Sequence, residues 1–239
     1  MGRYSVLLSP RLADLAGVRS GQRVLDVGCG PGALTAELVA RVGPAAVSAV
    51  DPSEPFVAAA RARNPAVSVQ RAFAEQLPFP NQTFDLALAQ LVVHFMSDPA
   101  AGLAEMRRVT QHDGVVAACV WDHAGGGGPL SPFWQAAREI DREVEGESRL
   151  VGSREGDLAA LFESVGLREI GETALSLSVE HPSFEEWWEP FTLGVVPAGS
   201  YVAGLDAERR AHLREHCRAL LPNPPFVITA RAWTARGLA

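Results

Sequence analysis

The sequence contains no lysine, and it has few cysteines and no long apolar run. All 21 basic residues are therefore arginine, and with 28 acidic residues the formal net charge is −7. Because there is no basic run, a dedicated nucleic-acid-binding protein is disfavoured. No stretch of about 18 apolar residues occurs, so no membrane-spanning helix is expected. We therefore expect neither a nucleic acid nor a membrane as partner.

The three cysteines also bear on the cellular compartment in which the protein is expected. Cys29, Cys119 and Cys217 are odd in number and far apart, which suits a reducing compartment better than a disulfide framework. The first residues lack the apolar core of a signal peptide, and Val6 does not fit a lipidation motif. We expect a cytoplasmic protein, monomeric or homodimeric. A chain of 239 residues, 47% hydrophobic, can bury its own core without disulfides or a structural metal.

Short apolar runs alternate with segments of helical spacing in the first half of the chain. The apolar runs predict strands at residues 23–27, 46–50, 67–71, 84–90 and 114–121. The helical spacing predicts helices at residues 33–42, 54–63 and 100–109. Because such alternation requires right-handed crossovers, it indicates an open, parallel α/β sheet with helices on both faces.

The second half is less regular. We predict helices at residues 133–144, 155–164, 183–191 and 206–220, and two further strands at 174–179 and 226–235. The four glycines at 125–128 are interpreted as a flexible hinge. The whole chain, 1–239, is one domain with a cofactor half at 20–122. Segments 123–153 and 183–222 are predicted to be insertions that form a helical lid over the acceptor.

Aromatic residues concentrate at the end of the fifth predicted strand and in these two insertions. They are Trp121, Phe133, Trp134, Trp187, Trp188 and Phe191. One interpretation is that these residues line a lid over a flat or apolar acceptor. The alternative is that they belong to the ordinary hydrophobic core.

A glycine-rich turn follows the first predicted strand, in the stretch VLDVGCGPG at residues 24–32. Glycines allow a sharp turn and a close approach by a ligand, which would also meet free N–H groups at a helix N-terminus. A dinucleotide site would have G-x-G-x-x-G, with Ala33 at its third glycine. Asp26 would repel a pyrophosphate and favours a cationic or zwitterionic ligand. A turn without a ligand is the third possibility.

Asp51 ends the second predicted strand, about twenty residues after the glycines. A carboxylate there can accept hydrogen bonds from both hydroxyls of a ribose. Alternatively, Asp51 caps the turn before Pro52. Since NAD and S-adenosylmethionine both contain ribose, Asp51 alone does not discriminate between them.

Four segments together resemble the class I S-adenosylmethionine-dependent methyltransferases. Residues 24–32 look like the first motif of that family, and Asp51-Pro52-Ser53 is similar to its second. AEQLPFP at 74–80, followed by TFD at 83–85, resembles the D-A-E-x-L-P-F stretch of the small-molecule branch, the methyltransferase type 11 and quinone-biosynthesis group. LAEMRRV at 103–109 is similar to a helix end of the same branch.

The resemblance covers about residues 3–121 and has two departures. Phe73 stands where the family has Asp, so any polar contact from that side chain is lost. His112-Asp113-Gly114 replaces the usual Pro-Gly-Gly, in a turn expected to be remote from the cofactor. The resemblance implies an open, Rossmann-like, seven-stranded and mostly parallel sheet with S-adenosylmethionine as cofactor.

The resemblance also implies roles for matching residues. Gly28, Gly30 and the backbone of Cys29 would line the methionine part of the cofactor, and Asp26 would orient its amino group. Asp51 would hold the ribose, and Pro52 would contact the ribose or the adenine edge. Ala74 and Glu75 would flank the adenine. Gln90 would lie under the sulfonium and offer mainly its backbone carbonyl. Arg3 and Tyr4 would close over the carboxylate of the cofactor. A frayed N-terminal tail is the alternative for Arg3 and Tyr4.

The implied function is methyl transfer to a small-molecule acceptor by in-line displacement. This reaction needs a general base only if the acceptor must lose a proton. His94 is the best candidate base, with packing against Phe95 as the alternative. Asp122 and His123 are weaker candidates that could simply cap a loop. A non-catalytic member of the fold is the alternative function, and an NAD-dependent oxidoreductase is a weaker third.

We predict no metal site. His212 and His216 stand four residues apart on a predicted helix but lack a third ligand. Cys29 is better explained as a turn residue than as a nucleophile. The sequence names neither the acceptor nor the attacking atom.

Overall fold

A seven-stranded sheet in the order β3-β2-β1-β4-β5-β7-β6 organises the chain. The computed structural model describes residues 2–194 and 196–239; Met1 and Val195, which fall within the predicted ranges 1–239 and 183–222, lie outside the described residues. The strands are β1 Val24–Val27, β2 Val47–Asp51, β3 Ser68–Arg71, β4 Phe84–Gln90, β5 Thr110–Trp121, β6 Arg168–His181 and β7 Phe226–Leu238. β1 to β5 pair in parallel, and β7 runs antiparallel between β5 and β6. The predicted open, mostly parallel, seven-stranded sheet is confirmed.

Helices connect the strands and cover both faces of the sheet. They are α1 Gly2–Ala16, α2 Ala33–Val42, α3 Glu54–Arg63, α4 Pro99–Val109, α5 Ser131–Ile140, α6 Asp157–Ser164, α7 Phe184–Trp188, α8 Val196–Gly204 and α9 Ala207–Leu220. Short 3₁₀ turns occupy Pro44–Ala46, Val93–Phe95 and Glu189–Leu193.

Successive residues of β4 show how the two faces are filled. Leu86 and Leu88 belong to a hydrophobic cluster that includes Leu12 of α1. Ala87 and Ala89 belong to a second cluster, which includes Leu103 of α4. Because side chains alternate along a strand, these two clusters lie on opposite faces. A central strand buried on both sides has the continuous apolar sequence seen here.

Two helices were not predicted from the sequence, α1 and α8. In α1 the buried residues Tyr4, Leu8 and Leu12 recur every four residues, which is the spacing of one helix face. Pro10 stands inside this helix and obscures the pattern. The alternative of a frayed tail is wrong for Tyr4, which is buried.

The last two strands are longer than predicted. β6 was expected at 174–179 and pairs with β7 from Arg168 to His181. Five of the eight additional residues of β6 are exposed, so hydrogen bonding to β7 rather than burial extends the strand. The antiparallel pairing of these strands at one side of the sheet leaves β6 as an edge strand.

The two predicted insertions pack against each other. Phe133 of α5 is fully buried and stacks on Phe191 at a centroid distance of 4.6 Å, with Trp188 at 6.4 Å. Both segments begin after β5 and β6, which run in the same direction and end at the same edge of the sheet. Whether these helices act as a lid stays a prediction. Within residues 2–194 and 196–239, every helix is too short or too polar to cross a bilayer.

Candidate functional site

The predicted cofactor residues meet at the carboxyl ends of the parallel strands. The turn that begins with Gly28 follows β1, Asp51 ends β2, and Gln90 ends β4. Parallel strands end at one edge, and ligands of open α/β sheets bind there. The sheet order places β1 between β2 and β4, so residues up to about 60 positions apart become neighbours.

The glycine-rich turn is built from left-handed backbone. Gly28, Gly30 and Gly32 have φ angles of 68°, 53° and 85°, which favour glycine. A side chain at Gly28 would lie 2.2 Å from Val92 Cγ2, whereas at Gly30 nothing stands within 4 Å. Gly28 is therefore required by packing, and Gly30 faces open space where a ligand can approach.

The N–H groups of this turn are already bonded inside the protein. The N–H groups of Gly28 and Cys29 both donate to the Val50 carbonyl, at 2.8 and 2.9 Å. Gly30 donates to Asp51 Oδ2 at 2.9 Å, and Gly32 donates to the Cys29 carbonyl at 3.0 Å. The N–H groups of the turn itself are therefore not free for a ligand, since Val50 and Asp51 of β2 satisfy most of these donors. The expectation that a ligand meets free N–H groups at the N-terminus of α2 stays a prediction.

Asp26 is a buried carboxyl group with one unused oxygen. Its Oδ2 accepts a hydrogen bond from the Thr35 hydroxyl at 2.6 Å, and its Oδ1 has no partner among the described residues. Burial raises the pKa of Asp26 to about 7; the Thr35 hydrogen bond opposes this rise and the nearby Asp51 adds to it. An unpartnered carboxyl oxygen in this place suits a cationic group. Thr35, a polar residue on the buried face of α2, was missed from the sequence.

Asp51 caps the turn, which is one of the two roles that the sequence left open, while its role in binding a ribose stays a prediction. Its Oδ1 accepts a hydrogen bond from the N–H of Ser53 at 2.9 Å, so Asp51 caps the turn. Its Oδ2 accepts a hydrogen bond from the N–H of Gly30. Each carboxylate oxygen accepts more than one hydrogen bond, so both retain capacity for a ribose hydroxyl. The neighbouring Pro52 carbonyl accepts the Arg71 guanidinium Nε at 3.0 Å.

The predicted adenine residues follow β3. Ala74 is buried. Glu75 uses Oε1 to accept the N–H groups of Ser97 and Asp98, at 2.7 and 3.2 Å. One carboxylate oxygen of Glu75 thus fixes the loop after β4, and its role beside adenine stays a prediction. Phe73, at the position of the family's Asp, is 58% exposed.

Gln90 is connected to the N-terminal helix. Its Nε2 donates to the Ser5 carbonyl at 3.1 Å, and its Oε1 is buried without a partner among the described residues. The contact places the N-terminus of α1 at the carboxyl end of β4.

Arg3 and Tyr4 contact β6 and α7 rather than the glycine-rich turn. Arg3 donates to the Glu180 carbonyl and forms an ion pair with Glu186. The Tyr4 hydroxyl bonds His181 Nε2 at 2.9 Å, and burial raises the pKa of Tyr4 to about 12. Their predicted role over the cofactor carboxylate therefore competes with partners inside the protein.

Cys29 is not poised as a nucleophile. Its thiol is buried and contacts the Gly30 carbonyl at 3.5 Å. Burial, with Asp26 and Asp51 nearby, raises its pKa far above the ordinary value. The reactive thiolate is therefore suppressed.

His94 and His123 form a buried pair after β4 and β5. Their ring centroids are 5.9 Å apart, and His94 also packs on Phe95 at 4.0 Å. Burial lowers the pKa of His94 to about 3, with a contribution from His123. Burial also lowers the pKa of His123 to about 4, against the opposing charge of Asp122. Both rings are neutral at pH 7.

A third group, Glu147, was missed from the sequence because no motif surrounds it. Its Oε2 lies 3.7 Å from His123 Nδ1 and accepts the Trp134 indole N–H at 2.7 Å. Burial raises the pKa of Glu147.

Asp122 is a structural residue. Its Oδ1 accepts the Gly125 N–H at 2.9 Å, and its Oδ2 accepts the Arg231 guanidinium Nε at 2.8 Å. It is thus the loop cap that the sequence left as an alternative, and its carboxylate is neutralised by Arg231.

The remaining histidine pair lies on the surface. His212 and His216 contact each other at 3.0 Å, and His216 contacts Glu139 at 3.2 Å. In the part of the chain that the structure describes, no group of three or more His, Cys, Asp or Glu is arranged to hold a metal ion.

Comparison with known proteins agrees with this geometry. A family model described as "Methyltransferase domain" matches residues 25–118. The chain is 38% identical over 110 residues to the malonyl-[acyl-carrier protein] O-methyltransferase of Erwinia billingiae, covering 46% of this chain and 43% of that protein. It is 31% identical over 178 residues to a ubiquinone/menaquinone biosynthesis C-methyltransferase of Cupriavidus metallidurans, covering 65% and 71%. The chain thus spans less than half the length of the Erwinia relative.

Solved structures show the same fold over nearly the whole chain. The YcgJ protein of Bacillus subtilis superposes with a TM-score of 0.64 at 20% identity, covering 99% of this chain and 98% of that one. Phosphoethanolamine N-methyltransferase 2 of Haemonchus contortus, solved with S-adenosyl-L-methionine, superposes with a TM-score of 0.61 at 16% identity. The superposition covers 97% of this chain and 52% of that one.

Proposed function

The chain belongs to the class I S-adenosylmethionine-dependent methyltransferases, and on that premise we propose that it transfers a methyl group from S-adenosylmethionine to a small-molecule acceptor by in-line displacement. The observation that carries the proposal is the unpartnered, buried Oδ1 of Asp26 beside the open space at Gly30. A cofactor with an ammonium group and a ribose satisfies both this oxygen and Asp51.

The same residues argue against a dinucleotide. A pyrophosphate is bound by free N–H donors, and a carboxylate close to the glycine-rich turn repels it. Here the donors of Gly28, Cys29, Gly30 and Gly32 are bonded internally, and Asp26 stands next to the turn. The arrangement therefore favours a zwitterionic ligand over NAD.

The protein's contribution to the reaction is positioning. When bound, the cofactor supplies a methyl group on a positively charged sulfur with a neutral leaving group. Asp51 would bind the ribose hydroxyls, Asp26 the ammonium group, and Gly30 would allow the ligand to approach the backbone. Holding an acceptor in line with the methyl group and excluding water supply much of the rate acceleration. The buried aromatic cluster of Phe133, Trp188 and Phe191 would exclude water.

Calorimetry with S-adenosylhomocysteine tests the cofactor assignment. We expect the wild-type protein to bind it and NAD not to bind. Asp51→Ala should weaken binding by about 2–4 kcal/mol, because charged hydrogen bonds are worth about 1.5–3 kcal/mol each and are not additive. Asp14→Ala removes an exposed carboxylate from α1, far from the turn in sequence, and serves as the matched control.

Two results would count against the assignment. Unchanged affinity in Asp51→Ala, with the unfolding temperature preserved, would remove the ribose role. Binding of NAD but not of S-adenosylhomocysteine would overturn the proposed function. Transfer of labelled methyl groups to a panel of small molecules separates an enzyme from a non-catalytic binding protein.

The relatives' printed names include an O-methyltransferase and a C-methyltransferase. The attacking atom must therefore be inferred from this chain's own acceptor side.

A further inference from the structure

Two histidines and a glutamate form a buried polar cluster at the carboxyl ends of β4 and β5. His94 stands in the 3₁₀ turn after β4, His123 follows β5, and Glu147 comes from the loop after α5. The side chains of His123 and Glu147 are only 4% and 6% exposed. We call these three residues the acceptor cluster.

The acceptor cluster has more polar atoms than partners. His94 Nδ1 and His123 Nε2 are both buried without a hydrogen-bond partner among the described residues, as is the neighbouring Gln90 Oε1. Leaving a buried polar atom unpaired costs free energy, and native proteins rarely do so. The surface pair His212 and His216 differs, since its ring nitrogens bond each other and Glu139. Because three such atoms follow the adjacent strands β4 and β5, a ligand with a polar group would satisfy several of them at once.

Resting on the proposed function, we propose that the acceptor carries an acidic hydroxyl, as in a phenol, and that His123 Nε2 takes its proton during methyl transfer. His94 Nδ1 hydrogen-bonds the same hydroxyl oxygen. Glu147 is a positioning residue that orients the His123 ring from the opposite side.

The two rings lie close to each other. Their centroids are 5.9 Å apart at an interplanar angle of 71°, and each ring has one buried nitrogen without a partner among the described residues. A single hydroxyl group could satisfy both nitrogens. Glu147 Oε2 lies 3.7 Å from His123 Nδ1, and the nearby carboxylate would stabilise the tautomer with hydrogen on Nδ1 by charge rather than by a hydrogen bond. That tautomer leaves the Nε2 lone pair free to accept a proton.

The proton and charge balance of the step is complete. The acceptor oxygen forms a bond to the methyl carbon as the carbon–sulfur bond breaks, and that electron pair returns to sulfur. The O–H bond breaks and its proton moves to His123 Nε2. The positive charge lost at sulfur thus appears on the imidazolium beside Glu147. His123 releases the proton to solvent after the methyl ether leaves.

The burial of His123 makes it a weak base, and this limits which class of hydroxyl can serve as the acceptor. The groups that face His123 are Glu147, His94 and Asp122, and Asp122 is neutralised by Arg231. With the pKa of His123 held at about 4, the ring is a weak base, so a phenol, with a pKa of about 10 as in tyrosine, is a better donor than an alcohol.

The apolar surroundings of the cluster favour an aromatic acceptor. Trp134 donates to Glu147 and packs edge-on against Phe133 at 5.0 Å. A flat ring suits such a wall better than a charged or strongly polar molecule does.

Phenol and anisole are the probes that test the inference. Anisole has the same ring, but its oxygen is already methylated and cannot donate a proton. The protein, with its histidines labelled with ¹⁵N, is first saturated with S-adenosylhomocysteine and then titrated with each probe by NMR. We expect phenol to bind about tenfold more tightly than anisole and to shift the ring signals of His94 and His123. His212 and His216 should not shift and serve as internal controls.

Matched variants separate a specific role from a structural one. His123→Asn should abolish the preference for phenol over anisole, whereas His212→Asn should retain it. Glu147→Gln keeps an oxygen for the Trp134 indole but loses the charge. It should change the Nδ1 and Nε2 signals of His123 while the backbone spectrum stays native.

The outcomes are distinct. Failure to bind S-adenosylhomocysteine, measured before any probe is added, would contradict the proposed function. If the cofactor product binds but phenol and anisole bind equally, the hydroxyl inference is wrong. If neither probe shifts the ring signals of His94 and His123, the inference is also wrong.

Discussion

Asp26 shows how one residue can lower stability and yet support binding. It is 1% exposed, and burial raises the pKa of its carboxyl to about 7 from an ordinary value of 3.8. The folded protein therefore keeps a proton that the unfolded chain releases at lower pH. Stability from this group is complete below about pH 4 and is lost as the pH rises towards 7. A bound ammonium group would compensate for the charge.

Asp26→Asn should separate these two effects. The amide keeps an oxygen for the Thr35 hydroxyl but cannot ionise. We expect the variant to match the wild type at pH 4 and to be more stable at pH 8, by at most about 4 kcal/mol, since one pKa unit corresponds to about 1.36 kcal/mol. Its affinity for S-adenosylhomocysteine should fall. Urea unfolding at both pH values and calorimetry at pH 8 measure the two quantities.

Asp14→Asn, at an exposed position, controls for the loss of one negative charge together with its ion pair to Arg41. If the stability difference between Asp26→Asn and the wild type does not change with pH, Asp26 is ionised in the free protein and this account of it is wrong.

At the scale of an element, the turn between β1 and α2 is fixed by two kinds of constraint. Gly28 is confined by Val92, and Gly30 is not confined by any neighbour. Both have positive φ angles. Gly28 is therefore required by close packing, and Gly30 leaves room for a ligand.

The pair Gly28→Ala and Gly30→Ala tests this division. An alanine in left-handed backbone costs about 1–2 kcal/mol, and overpacking at Gly28 adds about 1–3 kcal/mol. We expect Gly28→Ala to lose about 2–5 kcal/mol of unfolding free energy. Gly30→Ala should lose only the backbone part yet bind S-adenosylhomocysteine more weakly. Chemical denaturation and calorimetry on both variants provide the comparison, and equal stability losses would contradict it.

At the scale of the whole molecule, the carboxyl edge of the sheet is covered from several directions. α1 reaches it through the contacts of Ser5 with Gln90 and of Tyr4 with His181. The segments after β5 and β6 meet through Phe133 and Phe191. These contacts support the prediction that residues 124–150 and 183–222 enclose the acceptor and that the glycines at 125–128 let the first segment move. The cytoplasmic location and the monomeric or homodimeric state also stay predictions.

Trp187 provides the test of enclosure. It is 4% exposed and packs edge-on against Phe191 at 5.0 Å. Trp187→Ala should impair acceptor turnover far more than binding of S-adenosylhomocysteine, and Trp187→Phe, which retains a ring, should be milder. In the wild type, S-adenosylhomocysteine with phenol should increase protection from hydrogen exchange in both segments but not in α6. If neither segment gains protection, the tryptophans are ordinary core.

The amino-acid sequence by itself determined the elements of the cofactor half. α2, α3 and β4 have the predicted bounds, because apolar runs and the Gly and Pro residues that end them act over a few neighbouring positions. The glycine spacing and Asp51 likewise indicated a cofactor site. α1 carried a readable four-residue pattern, yet Pro10 within it obscured the helix.

Only the tertiary structure decided which polar atoms are used and which remain free. Val50 takes two of the turn's N–H groups, Arg231 neutralises Asp122 across 109 positions, and Glu147 approaches His123 from a loop without a motif. These contacts depend on the order of the strands and on the packing of the helices after β5 and β6. Hydrogen bonds and buried charges depend on distances of a few ångströms between segments far apart in the chain, and local sequence patterns do not encode such distances.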